Sequence, residues 1–202
     1  MPELWSYEQE ALDAGFSPVC GCDEAGAGPL AGPVYAAAVV LPQDVDLPGL
    51  NDSKQLSAKQ RDRLFDLIRE RAVEWSVASV DAKEIDETDI LSARMKAMQL
   101  AINGLNPPPG FALIDGNRDK GKSAAITTPH RCIVKGDSHS ASIAAASILA
   151  KVSRDRFMVE IASQYPEYAF ERHKGYGTPL HFERLREYGP SPIHRRTFLK
   201  NL

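Results

Sequence analysis

Two adjacent carboxylates, Asp23 and Glu24, follow a short apolar run at residues 19–22 and precede Gly26 and Gly28. Asp and Glu are rarely buried unless paired or bound to a cation, so an acidic pair at the end of an internal strand calls for a metal or a strong partner. The pattern recurs twice. Residues 111–114 run into Asp115, and residues 132–134 run through Lys135 and Gly136 into Asp137. If these runs are neighbouring strands, Asp23, Glu24, Asp115 and Asp137 meet at one edge of a sheet. Four such charges repel unless divalent cations neutralise them. All-oxygen donors with no His or Cys cluster favour magnesium or manganese over zinc. A pair of these ions can clamp the attacking and leaving oxygens of a phosphodiester, so two-metal phosphoryl transfer is the chemistry expected.

The elements that must position these residues can be read from the periodicity. Residues 32–41 have the length and apolarity of a central strand that forms a hairpin with the first. Ser57 and Gln60 make a capping-box pattern for a helix to about Arg71, with Leu64, Phe65, Leu67 and Ile68 as its buried stripe. Residues 74–80 alternate as a third strand. One long helix is expected over residues 82–105, stopped by Pro107, Pro108, Pro109 and Gly110. Another is expected over about 138–164, where Ala144, Ala145 and Ala146 permit close packing on a sheet, and a short one over 179–188. The fold class that follows is α/β: a mixed sheet, antiparallel in its first three strands and then parallel, flanked by helices, with a mostly helical C-terminal appendage.

The chain of 202 residues suits a single domain, with a core over about 15–165 and the appendage over about 166–202. No apolar stretch is long enough to cross a bilayer and residues 1–5 lack a secretion signal, so a cytoplasmic location is expected, with a monomer as the default. Cys20, Cys22 and Cys132 read as small buried hydrophobes. The formal net charge is −3, yet residues 171–202 carry a balance of +4 and the remainder −7. A basic flank beside an acidic centre suits a polyanionic substrate.

The motifs together resemble bacterial ribonuclease HII. They are, in order, Asp23-Glu24-Ala25-Gly26, residues 28–34 (GPLAGPV), 50–54 (LNDSK), 113–117 (LIDGN), 134–138 (VKGDS), 145–152 (AASILAKV) and 173–178 (HKGYGT). The resemblance implies a ribonuclease H-like fold and cleavage of RNA in RNA/DNA hybrids. It also implies incision 5′ of single ribonucleotides embedded in duplex DNA, leaving 3′-hydroxyl and 5′-phosphate ends. In that family four carboxylates matching Asp23, Glu24, Asp115 and Asp137 hold Mn2+ or Mg2+. Asp23 is expected to anchor both ions, Asp115 and Asp137 to complete their shells, and Glu24 to help place metal or water.

The resemblance also assigns substrate contacts. Gly26 and Gly28 match a Gly-Arg-Gly motif whose backbone reads the 2′-hydroxyl, the group that separates RNA from DNA. Here the middle residue is Ala27, so the arginine's charged fork is missing. Tyr176 matches a tyrosine that stacks at the junction nucleotide. Ser53 and Lys54 match phosphate contacts, and Ser147 and Lys151, one helical turn apart, could face the nucleic acid together. His173, His181 and His194 fit no zinc spacing and are expected at the surface or on phosphate, and Arg195 and Arg196 in the basic flank. Two other readings compete. Residues 26–31 formally fit a dinucleotide-binding G-x-G-x-x-G/A, although Pro29, Gly32 and Pro33 interrupt it. A junction-binding protein with impaired catalysis on the same fold is the other, suggested by Ala27.

Overall fold

The computed structural model describes residues 2–51 and 53–200, with the side chains of residues 2, 3 and 54 outside the description. An N-terminal helix that the periodicity did not announce, α1 (Ser6–Asp13), leads into β1 (Val19–Ala25), which pairs antiparallel with β2 (Val34–Val40). Helix α2 (Ala58–Arg71) begins at the expected capping box: the Ser57 hydroxyl accepts from Gln60 N and the Gln60 side chain accepts from Ser57 N. Strand β3 (Glu74–Val80) pairs antiparallel with β2.

The single helix expected over 82–105 is two helices, α3 (Ala82–Glu87) and α4 (Ile90–Asn103). The break lies at Thr88 and Asp89. The Asp89 carboxylate accepts from Ser92 N at 2.9 Å and Ser92 Oγ at 2.7 Å, which makes it the start of a new helix rather than an interior residue. Strands β4 (Phe111–Asp115) and β5 (His130–Ile133) follow in parallel with β1. The sheet order is β3-β2-β1-β4-β5, the mixed antiparallel-then-parallel arrangement expected.

Two boundaries near Asp137 differ from expectation. Strand β5 ends at Ile133, and Asp137 sits in a one-turn 3-10 helix entered through Lys135 in the left-handed region (φ 56°). Helix α5 (Ala141–Ile161) starts after Ser140, whose side chain caps Ile143 N, and not at Ser138. Short α6 (Phe170–His173) and α7 (Pro179–Tyr188) make up the C-terminal part, with α7 as expected.

The sheet buries both faces. Cys20, Cys22, Val34, Ala36 and Ala38 pack against Met95, Met98 and Ile102 of α4, as the small-hydrophobe reading of two of the three cysteines required. Ala37 and Val39 pack against Ala144, Ala145, Ile148 and Leu149 of α5 and against α2. Full burial of each large aliphatic contributes about 1.5–3 kcal/mol. Close approach of α5 to β1 depends on Gly21: a Cβ there would stand 2.2 Å from Ile143 N.

The C-terminal part is tied to residues 30–32 by a short backbone ladder. Leu30 N donates to Gly175 O (2.8 Å), Arg195 N to Leu30 O (2.9 Å) and Gly32 N to Ile193 O (2.9 Å). Gly175 allows this contact, since a Cβ there would lie 2.4 Å from Ala31 O. The appendage therefore forms one wall of the glycine loop.

Candidate active site

Asp23 and Glu24 lie inside β1 rather than in the turn after it. Strand alternation sends neighbouring side chains to opposite faces. Asp23 turns toward α5, where Ser147 hydrogen-bonds it, and its Oδ1 also accepts from Glu24 N at 2.7 Å. Glu24 turns toward α4, where its Oε1 is 2.5 Å from the guanidinium of Arg94. Asp115, at the end of the adjacent parallel strand β4, is near enough for its charge to act on both; its Oδ1 accepts from Gly136 N at 2.7 Å.

These three carboxylates line one cavity of about 260 Å3 together with Gly26, Ala27, Gly28, Ser53, Ser147, Lys151 and Tyr176. Of the twelve residues singled out from the sequence, ten are in that lining. Asp137 is buried in its own turn, one residue beyond the Gly136 amide that binds Asp115. The side chain of Lys54 lies outside the described residues. A second concavity on the α4 side of Asp115 is lined by Arg94, Asn117 and Arg118.

The carboxylates perturb one another. Burial first, then the charges of Glu24 and Asp115, pushes the Asp23 carboxyl well above the usual carboxylate range. Burial likewise raises Glu24, while Arg94 opposes it and Asp115 adds to it. Glu24 Oε2 is buried with no hydrogen-bond partner. No group of three or more His, Cys, Asp or Glu side chains among the described residues is drawn together tightly enough to hold a metal as it stands. The donor chemistry nonetheless fits a hard divalent cation: oxygen donors only, an orphaned carboxylate oxygen, and negative charges that raise one another's proton affinity.

Above the carboxylates the glycine loop is pinned from below. Gly26 has φ +90°, and a Cβ on it would stand 2.0 Å from Arg154 Nε. Arg154 donates to Pro33 O (3.0 Å) and Ala31 O (3.1 Å). Arg195, expected in a basic surface flank, is instead fully buried and donates to Gly26 O (2.6 Å), Ala27 O (2.9 Å) and Gly32 O (2.9 Å). A trans peptide holds its C=O and N–H on opposite sides, so carbonyls drawn inward leave the amides of Ala27 and Gly28 facing away from Arg195. Burial first, then the charge of Arg154, lowers Arg195 to about 9. Arg196 is exposed, as expected.

On the other wall, Ser53 Oγ and Ser147 Oγ are 2.8 Å apart, and Lys151 Nζ pairs with Asp155 at 2.8 Å. The Tyr176 ring is 41% exposed, with Lys151 Nζ 5.8 Å and the Arg154 guanidinium 5.7 Å from its centroid. His173, His181 and His194 contradict the surface reading; all three are buried beneath the Tyr176 turn. Residues 26–31 open no helix and run on into β2, which removes the dinucleotide fingerprint. Sequence reasoning missed Arg94, Arg154, Arg195 and the histidine cluster. Nothing local distinguishes Arg195 from its exposed neighbour Arg196, and only the ladder to residues 30–32 turns one inward.

The ribonuclease HII family model matches residues 20–201. The ribonuclease HII of Endomicrobium trichonymphae is 53% identical over 195 residues, covering 96% of this chain and 91% of its own length. That of Acetivibrio thermocellus is 52% identical over 199 residues, covering 98% and 76%. The crystal structure of the ribonuclease H2 from Pyrococcus horikoshii OT3 aligns with a TM-score of 0.71 at 29% identity, over 89% of this chain and 92% of that one. Half the residues are shared along nearly the whole length, and the matched span takes in every residue around the carboxylate cavity, so the chain belongs to the ribonuclease HII family.

Proposed function

We propose that this protein is a metal-dependent endoribonuclease that hydrolyses the RNA strand of RNA/DNA hybrids and incises 5′ of single ribonucleotides embedded in duplex DNA, leaving 3′-hydroxyl and 5′-phosphate ends. The observation that supports this reading is the sharing of one cavity by Asp23, Glu24 and Asp115 with the glycine loop and Tyr176. Asp23, Glu24, Asp115 and Asp137 are the residues that would hold Mg2+ or Mn2+. Bound there, such ions supply a water of lowered pKa, neutralise phosphate charge and stabilise the departing 3′-oxygen.

The chain's own groups do the rest. The amides of Ala27 and Gly28, turned out by Arg195, offer donors to a ribose 2′-hydroxyl, which a deoxyribose lacks. Tyr176 provides a face for the sugar or base at the junction, a kind of contact contributing about 1–3 kcal/mol per base. Ser53, Ser147 and Lys151 contact the phosphate backbone beside it, with Lys54 on the same loop.

The test is a duplex carrying one ribonucleotide, incubated with the protein and magnesium or manganese. Cleavage 5′ of the ribonucleotide is expected for the natural sequence, and loss of turnover to background for Asp115→Asn. The asparagine Oδ1 can still accept from Gly136 N, so the melting temperature should be preserved. Asp115→Asn with wild-type turnover under saturating magnesium would overturn the assignment. Tight junction binding by the natural chain without cleavage would favour the impaired-catalysis reading that Ala27 suggests.

A further inference from the structure

Three histidines that the proposed reaction does not use are buried under the turn carrying Tyr176: His173, His181 and His194 are 7%, 0% and 2% exposed. The backbone determines where their protons sit. His194 Nδ1 meets both Ser191 N at 2.9 Å and Ser191 Oγ at 2.7 Å; the hydroxyl can donate or accept but the amide can only donate, so that nitrogen is bare and the neutral ring carries its proton on Nε2. His194 Nε2 stands 2.9 Å from His181 Nε2, which must then accept. The His181 proton is thereby placed on Nδ1, which donates to the Tyr176 carbonyl at 2.9 Å. The Ser191 amide at one end and the Tyr176 carbonyl at the other favour this direction. Reversing it would set two N–H groups against each other at Ser191 and two lone pairs against each other at Tyr176. His173 stacks on His181, centroids 4.3 Å apart and planes 17° apart, and is fixed the same way: Gly175 N donates to its Nδ1 at 3.2 Å and its Nε2 donates to Tyr168 O at 2.9 Å.

Tyr176 needs an anchor of this sort. It lies between Gly175, at φ +84°, and Gly177, so the turn has little stiffness of its own. Lys151 and Arg154 stand over its ring at close to 6 Å from the centroid, and the residue is 41% exposed. Its backbone is what is held: N donates to His173 O (2.9 Å), and O accepts from Thr178 N (2.8 Å) as well as from His181. Burial keeps the rings neutral, with His181 pushed down to about 4 and His194 to about 3, so the direction of the chain is stable at neutral pH.

We propose that His194 and His181 are positioning residues, a relay of fixed tautomers running from the Ser191 amide to the Tyr176 carbonyl that sets the tyrosine ring for the RNA/DNA junction. This rests on the reading of Tyr176 as a substrate contact given above. The relay acts on recognition and not on the chemical step, because its last hydrogen bond ends on the Tyr176 main chain and not on a carboxylate.

The experiment compares His181→Phe, His181→Asn, Tyr176→Ala and the double variant His181→Phe/Tyr176→Ala. Binding to a duplex with one ribonucleotide is measured in chelator, and kcat and KM in magnesium. Phe keeps the ring's shape among Phe170 and His173 but has no donor, whereas the Asn amide places an N–H where Nδ1 was. Loss of one such hydrogen bond predicts a rise in Kd and KM of about fivefold for His181→Phe with kcat nearly unchanged. His181→Asn should recover wild-type KM, and His181→Phe should have no further effect once Tyr176 is alanine. A fall in kcat at constant KM, no recovery by Asn, or effects that add in the double variant would each overturn the relay. Should His181→Phe not fold, 15N correlation spectra of the unaltered protein decide: protons on His194 Nε2 and His181 Nδ1 support the relay and the opposite tautomers refute it. An unaltered protein that neither prefers nor cleaves the ribonucleotide duplex would instead refute the proposed function, whatever the spectra show of the tautomers.

Discussion

Arg94→Met probes the charge balance of the cavity most directly. Arg94 approaches Glu24 Oε1 at 2.5 Å, and the two side chains are 28% and 11% exposed. Removing one partner of a buried pair costs about 3–5 kcal/mol because the other charge is left uncompensated. Arg94 keeps more than a quarter of its surface in water, so about 2–3 kcal/mol is the expected loss at pH 7. For a chain of this length that lowers the melting temperature by roughly 4–12 °C. The dependence on pH has a definite sign. Burial already raises the Glu24 carboxyl, Arg94 opposes that, and Asp115 adds to it. Without Arg94 the folded-state pKa moves higher still above its unfolded value, so the ionised form is the penalised one. The penalty is full at high pH and fades as pH falls through the folded pKa. Thermal melts in chelator and low salt from pH 8 to pH 5 should show the variant's deficit shrinking toward acid. Glu24→Gln placed on top of Arg94→Met should recover most of it. An unchanged melting temperature at pH 7, or a deficit that grows toward acid, would refute the argument that Glu24 is a strained buried charge held by Arg94.

Other outcomes follow from the same geometry. Gly26→Ala puts a side chain at φ +90° and a Cβ 2.0 Å from the buried Arg154 Nε, so a loss of about 2–4 kcal/mol in urea unfolding is expected; a loss under 1 kcal/mol would mean the loop relaxes freely. Ala27→Arg adds a charged fork at the cavity rim and should tighten binding to a ribonucleotide duplex by roughly tenfold, with a steeper salt dependence; equal affinity and rate would show that the loop acts through its backbone alone. Acid should destabilise the C-terminal part through the histidines. Their folded pKa values are depressed by burial, with His181 at about 4 and His194 at about 3, and Arg196 adds repulsion at His194. Their contribution is complete above the unfolded value near pH 6.5 and disappears as pH falls toward 4 and below, a change of a few kcal/mol. Equilibrium unfolding at pH 7, 5.5 and 4.5 checks this, and equal stability of the unaltered protein and His181→Asn across the range would count against it.

Local patterns in the chain were enough to determine several features. The apolar runs ending in Asp23, Asp115 and the segment before Asp137 marked three strands of the mixed sheet, while the order of the strands, joined across long connections, was not legible. The Ser57 and Gln60 capping box was legible because its energy comes from groups three residues apart. Asp89 could have announced the break between α3 and α4 by the same logic, but the apolar spacing across it masked the cap.

What only tertiary structure decided depends on partners remote in sequence. Glu24 meets Arg94 from another helix, and Asp23 meets Ser147 from a third. Asp137 is reached through a left-handed turn and not along a strand, and it is not among the residues lining the cavity that Asp23, Glu24 and Asp115 share. Arg195 and the three histidines looked like solvated basic residues because charge and composition describe a side chain in water. Each became structural once a backbone ladder enclosed it and supplied carbonyls or amides in place of solvent. The types of chemistry available are written in the residues themselves, whereas the proton positions and charge states follow from burial and from distant hydrogen-bond partners, which exist only in the folded chain.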